Sequence, residues 1–239
     1  MENIEHKNMK CVILAGGKGT RISEISKDIP KPMIKILGEP IIVKIMKHYY
    51  KYGFKDFIVA TGYKKKVISN YFKKEKFKNW NVSVIDTGVN TMTGGRIKRL
   101  KKILNNETFM VTYGDGLSDV NINKLINFHR KHKKIGTLTA VRPPARFGAI
   151  KIYRNKITYF KEKSKLDEGW INGGYFVLEP KIFNYIKNDN TFLEREPLQK
   201  ISQLNQLYAF KHNGFWQCMD TLRDKEILEK NLKNLKNEM

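Results

Sequence analysis

The chain has 239 residues, 41% hydrophobic and 11% aromatic, enough apolar content for one large core and too much for a disordered chain. Its 46 Lys and Arg against 23 Asp and Glu give a formal charge of +23, but no zinc-finger or RNP pattern and no long basic tail accompanies that charge. The two cysteines, Cys11 and Cys218, stand far apart and outside any Cys-x-x-Cys pair, which speaks against a disulfide framework and against a zinc site.

The polar start and the short apolar run Cys11 to Ala15 suit neither a signal-peptide core nor a membrane span, so the protein is read as cytoplasmic, with no membrane partner. Lys10 to Ala15 predicts a buried central strand, and it ends in the glycine-rich loop Gly16 to Arg21. Pro30 and Pro32 bracket Lys31, forbid a regular helix and are expected to hold that segment extended, with a short strand around Met33 to Ile36. Pro40 can open a helix whose apolar positions Ile41, Ile42, Ile45 and Met46 recur at helical spacing until Gly53 stops it.

Further along, the pattern predicts a strand over Phe57 to Thr61, a helix over about Lys65 to Phe72, a strand over Val82 to Ile85, a helix after Gly95 and a strand over Phe109 to Tyr113. That βαβ rhythm implies a mostly parallel sheet with helices on both faces. Asn121 to His132 has the amphipathic spacing of a helix. Four strands are then expected at Gly136 to Val141, Ala149 to Tyr153, Ile157 to Phe160 and Asn172 to Leu178, with some antiparallel pairing, before a last helix from near Thr221. The expected organisation is a single domain over 1–239, with a first half at about 9–120, a second half at about 121–228 and a C-terminal helix at about 221–236.

A glycine loop after a buried strand lies where parallel sheets bind ligands, and consecutive N–H groups there can form an anion nest. The spacing fits neither the usual P-loop nor the dinucleotide fingerprint, and by itself it reads equally as a tight turn. The charge reads first as lysine scattered over a solvated surface, so no nucleic-acid partner is expected; a positive field would also speed the encounter with phosphorylated substrates.

Leu14-Ala15-Gly16-Gly17-Lys18-Gly19-Thr20-Arg21, followed by Pro30-Lys31-Pro32-Met33, resembles the signature of the sugar-phosphate nucleotidyltransferases. Gly114-Asp115-Gly116, Glu162-Lys163, Asn172-Gly173-Gly174 and Met219-Asp220-Thr221 continue the resemblance in order down nearly the whole chain. Asp86-Thr87-Gly88, Thr91-Met92-Thr93-Gly94-Gly95-Arg96 and Pro143-Pro144-Ala145-Arg146-Phe147-Gly148 look like the glucose-1-phosphate cytidylyltransferase branch, as do Glu196-Pro197-Leu198 and Gly214-Phe215-Trp216-Gln217. Two positions depart from it. The segment between Phe72 and Trp80 is shorter, and Ser164 replaces a proline.

The resemblance implies an α/β, Rossmann-like three-layer nucleotidyltransferase fold with a mixed, mostly parallel central sheet. It implies an enzyme taking CTP and a sugar 1-phosphate, with Mg²⁺ as cofactor, and it leaves a homo-oligomer open. By the same carry-over Arg21, Lys31 and Asp115 are catalytic, and Asp115 and Asp220 hold the metal. Leu14, Ala15, Gly16, Gly17, Lys18, Gly19, Thr20, Thr91, Arg96 and Gly114 contact the nucleotide, while Gly148, Glu162, Lys163 and Asn172 contact the sugar phosphate. Taken alone, Asp115 reads as a turn aspartate and Asp220 as a helix cap. His212 and Trp216 read as packing or rim residues.

Overall fold

The computed structural model describes residues 9–19, 22, 28–75, 77–143, 149–161 and 169–237. Among them the largest sheet has seven strands in the order β12-β8-β11-β6-β1-β4-β5. Inside it lies β1 (Cys11–Ala15), parallel to β4 (Asp56–Thr61) on one side and to β6 (Phe109–Tyr113) on the other. β5 (Asn81–Asp86) extends it in parallel beyond β4. β11 (Ile171–Leu178) runs antiparallel to both β6 and β8 (Gly136–Val141), and β12 (Leu207–His212) lies parallel to β8. The sheet is mixed and mostly parallel, in agreement with the fold class expected from the sequence.

The alternation of β1 divides the core, because successive side chains of a strand point to opposite faces. Cys11, Ile13 and Ala15 enter one apolar cluster and Val12 and Leu14 the other. The first cluster takes Ile41, Ile45 and Met46 from α1 (Ile41–Lys51), Ile68 from α2 (Lys65–Lys74), Leu125 and Ile126 from α5 (Ile122–His132) and Leu228 from α7 (Leu222–Asn237). The second takes Ile97 from α3 (Thr93–Arg99), Leu104 from α4 (Lys101–Leu104) and Ile201 from α6 (Glu196–Gln203). Helices cover both faces, giving three layers. No described helix is long and apolar enough to cross a membrane.

Two local expectations are corrected. The Pro30–Pro32 segment is not extended throughout; Lys31–Met33 closes a 3-10 turn in which the Ile34 N–H donates to the Lys31 carbonyl. The fixed φ of proline fits that turn as well as a strand, and the strand β2 (Lys35–Ile36) begins only after it. α3 begins at Thr93, ahead of Gly95. The sequence reading also passed over α6, β12 and the small ribbon made by β7 (Gly116–Ser118) and β13 (Trp216–Cys218). The hairpin of β9 (Ala149–Tyr153) and β10 (Lys156–Lys161) stands where it was expected.

Candidate functional site

Parallel strands β1, β4 and β6 all end at one edge of the sheet, and a cavity of about 530 Å³ opens there. Its walls carry Gly16, Gly17 and Gly19 from the loop after β1, Lys31 from the 3-10 turn, Thr91 and Arg96 near α3, Gly114 and Asp115 after β6, Asn172 on β11 and Asp220 after β13. Leu14 and Ala15 line it as well, while Lys18 is exposed beside it. Thr20, Arg21, Gly148, Glu162 and Lys163 lie outside the described residues.

The β7–β13 ribbon explains how two aspartates about a hundred positions apart become neighbours. Cys218 pairs with Gly116, and the Met219 N–H donates to the Asp115 carbonyl at 2.9 Å. Asp115 and Asp220 therefore converge on the Lys31 ammonium, which lies 2.6 Å from Asp115 Oδ2 and 2.6 Å from Asp220 Oδ1. Burial works against the Lys31 charge, but Asp115 and Asp220 outweigh it and hold its pKa above the usual lysine value.

Two residues just after Asp220 cap the final helix. Thr221 and Asp224 do so reciprocally: the Thr221 N–H donates to Asp224 Oδ2 at 2.9 Å and the Asp224 N–H to Thr221 Oγ1 at 3.1 Å. That arrangement leaves the Asp220 carboxylate turned toward Lys31. Thr221→Ala is accordingly expected to cost about 1 kcal/mol of stability, read from a thermal or denaturant melt, with catalytic turnover kept.

Two acids presenting separate oxygens to one cation form a suitable anchor for a hard divalent ion, which prefers oxygen ligands and completes its shell with water and substrate phosphate. The residues present fit Mg²⁺ in that way, with the Lys31 ammonium as the cation now between them. Among the described residues no group of three or more His, Cys, Asp and Glu gathers to make an all-protein metal cage.

Arg96, on the cavity wall, also braces the backbone beneath the glycine loop. Its side chain is buried, and Nη1 donates to the carbonyls of Thr61 and Gly88 and to Thr87 Oγ1, while Nη2 donates to the Gly16 carbonyl. A Cβ on Gly16 would fall 2.1 Å from Arg96 Nη1, so the glycine is required by this close approach. Burial, and then Arg99, pull the Arg96 pKa down, though it stays charged at any physiological pH. One guanidinium thus ties the ends of β1, β4 and β5 together under the glycine loop. Gly114 is constrained likewise, since a Cβ there would sit 2.9 Å from the Leu14 carbonyl and 3.0 Å from Pro32 Cγ.

Sequence reasoning missed Tyr113, Phe192 and Cys218, which line the cavity, and set Trp216 aside although it does so too. Burial pushes the Cys218 thiol up to about 11, with Asp220 and Asp115 adding to the effect. His212 stays outside that lining, with Nε2 2.8 Å from Asp119 Oδ1.

The model of the nucleotidyl transferase family matches residues 10–234. The chain belongs to this family. A glucose-1-phosphate cytidylyltransferase of Salmonella typhi is 47% identical over 92% of this chain and 95% of its own. A mannose-1-phosphate guanyltransferase 2 of Candida glabrata is 31% identical over 92% of this chain and 63% of its own length. Among solved structures, HddC from Yersinia pseudotuberculosis superposes with a TM-score of 0.76 at 27% identity, covering 94% of this chain and 99% of the other. In this nucleotidyl transferase the matched span includes both ends of the cavity, from the loop after β1 to Asp220.

Proposed function

We propose that this nucleotidyl transferase joins CMP from CTP to glucose 1-phosphate, releasing pyrophosphate and giving CDP-glucose. The observation that carries the chemistry is the convergence of Asp115 and Asp220 on one cation position beside a glycine loop at the carboxyl ends of three parallel strands. The choice of cytosine and glucose rests on the 47% identity to the Salmonella typhi enzyme over almost the full length of both chains.

In the reaction, an oxygen of the sugar 1-phosphate attacks the α-phosphorus of CTP in line. A new P–O bond forms as the bond to the β,γ-pyrophosphate breaks, and negative charge collects on the departing group. No side chain has to remove a proton, because a phosphate monoester is already an anion near neutral pH. Gly17 and Gly19 on the cavity wall would offer backbone N–H groups to the triphosphate, and the buried Arg96 charge lies directly behind that loop. Lys31 stabilises the charge that builds on the transferring phosphoryl group, and Arg21 supplies a second cation at the pyrophosphate. Asp115 and Asp220 would hold Mg²⁺, which when bound shields the phosphates from one another and orients the α-phosphate. Thr91 and Gly114 border the nucleotide; Gly148, Glu162, Lys163 and Asn172 meet the sugar phosphate.

The test measures pyrophosphate release for each of the four nucleoside triphosphates against a panel of sugar 1-phosphates. Turnover with CTP and glucose 1-phosphate, abolished by chelating the divalent ion, is the expected result. Inactivity of that pair beside brisk turnover of another would replace the substrate assignment. Inactivity of every pair would remove the enzymatic reading.

A further inference from the structure

Asn172 meets the acceptor in the function proposed above, on which this inference rests, yet an asparagine amide can rotate and flip. Its fixity has to come from its neighbours. β11 bulges where Asn172 sits: Asn172 is opposite Ala140 and Phe176 opposite Leu138, so β11 spends two residues more than β8 over the same stretch. Such bulges re-aim a side chain out of the regular ladder. Gly174 makes the bulge with φ +78°, and a Cβ there would lie 2.5 Å from Tyr113 Cδ2, so its backbone rests on the Tyr113 ring. The Trp216 indole N–H donates to the Gly173 carbonyl at 2.7 Å and fixes the other side.

Hydrogen-bond bookkeeping then decides the amide's orientation. The Gly174 N–H donates to Asn172 Oδ1 at 2.9 Å, so the NH₂ end must be the one 3.1 Å from the Tyr113 hydroxyl. The Tyr113 oxygen, accepting there, passes its own proton toward Glu194 Oε1 at 2.6 Å. Thr93 Oγ1 donates to Glu194 Oε2 at 2.6 Å and accepts from the Leu193 N–H at 2.9 Å. Every bond in the chain has a defined direction, and all of them run to one carboxylate. Burial, and next to it Glu194, push the Tyr113 pKa far above its ordinary value, so the phenol stays a donor.

We propose that Glu194 is a positioning residue that sets acceptor specificity: through Tyr113 it locks the Asn172 amide so that the remaining N–H is presented to one hydroxyl of the sugar 1-phosphate, and through Thr93 it ties that amide to the nucleotide-side helix α3. Two O–H donors satisfy the two carboxylate oxygens. A glutamine in its place offers one acceptor oxygen and an NH₂ donor, so one of the two O–H donors loses its acceptor and that contact must reverse or break.

The experiment compares the parent with Tyr113→Phe and Glu194→Gln, using CTP and the set of monodeoxy glucose 1-phosphates. In the parent one analogue should be discriminated against more strongly than the rest, because a site built to hydrogen-bond a hydroxyl rejects the analogue lacking it. Both variants are expected to raise KM for glucose 1-phosphate roughly tenfold or more and to bring that one discrimination toward unity. The CTP dissociation constant should change by less than about twofold, which a general loosening of the fold would not permit. Tyr113→Phe keeps the ring under Gly174; if it nevertheless melts early, Glu194→Gln alone decides. An active parent whose variants keep its discrimination, or lose CTP affinity as much as acceptor affinity, overturns this inference alone. A parent inactive with every nucleotide and acceptor overturns the functional reading and this inference with it.

Discussion

Asp115→Asn and Asp220→Asn are each expected to lower kcat by about two to four orders of magnitude, because each removes a charged oxygen at the place where phosphates and their ion must be held. Stability should move the other way or not at all. Two carboxylates now share one ammonium, so the cluster carries a net negative charge in a region where the Lys31 side chain is only 10% exposed. Losing one acid leaves a balanced pair and relieves the repulsion between the two, the usual sign of a site that gives up stability for function. Pyrophosphate release and thermal melts on the same preparations check both halves. Lys31→Met should behave in the opposite sense on the melt, since the acids then face each other without a partner. The sign of the pH effect follows from the raised Lys31 pKa. The lysine's contribution to stability is fully present below its unfolded value near 10.5 and is lost as alkali takes the pH up through the higher folded value.

Arg96→Met is expected to cost about 3–5 kcal/mol of folding stability, as breaking a buried charged hydrogen-bond network generally does. The loss is unequal among its partners. The Gly16 carbonyl keeps the Tyr63 N–H and the Thr61 carbonyl keeps the Thr87 N–H, but among the described residues no other donor to the Gly88 carbonyl accompanies Arg96. For a chain of this size the melting temperature should fall by about 10 °C. CTP affinity should fall by more than about tenfold as well, because the glycine loop loses its anchor and the triphosphate loses a positive charge behind it. A melt and a CTP titration of one variant separate the two effects. Unchanged values in both would show that the guanidinium is dispensable.

Much of the architecture was legible because buried parallel strands and amphipathic helices leave strong periodic traces. β1, β4 and β6 are apolar runs bounded by turn residues, and α1 and α5 repeat their apolar positions at helical spacing. The ribbon β7–β13 was not legible, since strands of three residues are too short to alternate and their pairing spans about a hundred positions. That ribbon is what brings Asp220 to Asp115. The aspartates were found by the order of short motifs along the chain, without the geometry that joins them. Edge strand β12 interleaves Tyr208 and Phe210 with Lys211 and stays partly exposed, so it has no clean apolar face to betray it. The eight-residue α6 makes little more than two turns, too few for its apolar spacing to stand out.

Within the site, charge-bearing residues in recognisable motifs were legible, and residues that act through others were not. The motif brought Arg96 to the cavity wall but gave no sign that its donors go largely to backbone oxygens beneath the loop. Glu194 belongs to no motif and acquires its place only when residues 188–194 fold over α3, where the Met92 N–H meets the Asp189 carbonyl and the Gly95 N–H meets the Thr191 carbonyl. Glycines at 94 and 95 permit that contact: a Cβ on Gly95 would fall 2.4 Å from the Asp189 carbonyl oxygen. Reading those glycines as a close crossing of backbones was the available signal.

Phosphorus NMR of a mixture of CTP, α-D-glucose 1-phosphate, Mg²⁺ and the protein follows every phosphorus atom of the proposed transfer at once. The CTP and glucose 1-phosphate signals should decline together while a nucleoside diphosphate sugar and free pyrophosphate grow in equal amounts. Persistence of the glucose 1-phosphate signal, with CTP either untouched or broken down to inorganic phosphate, would contradict that transfer.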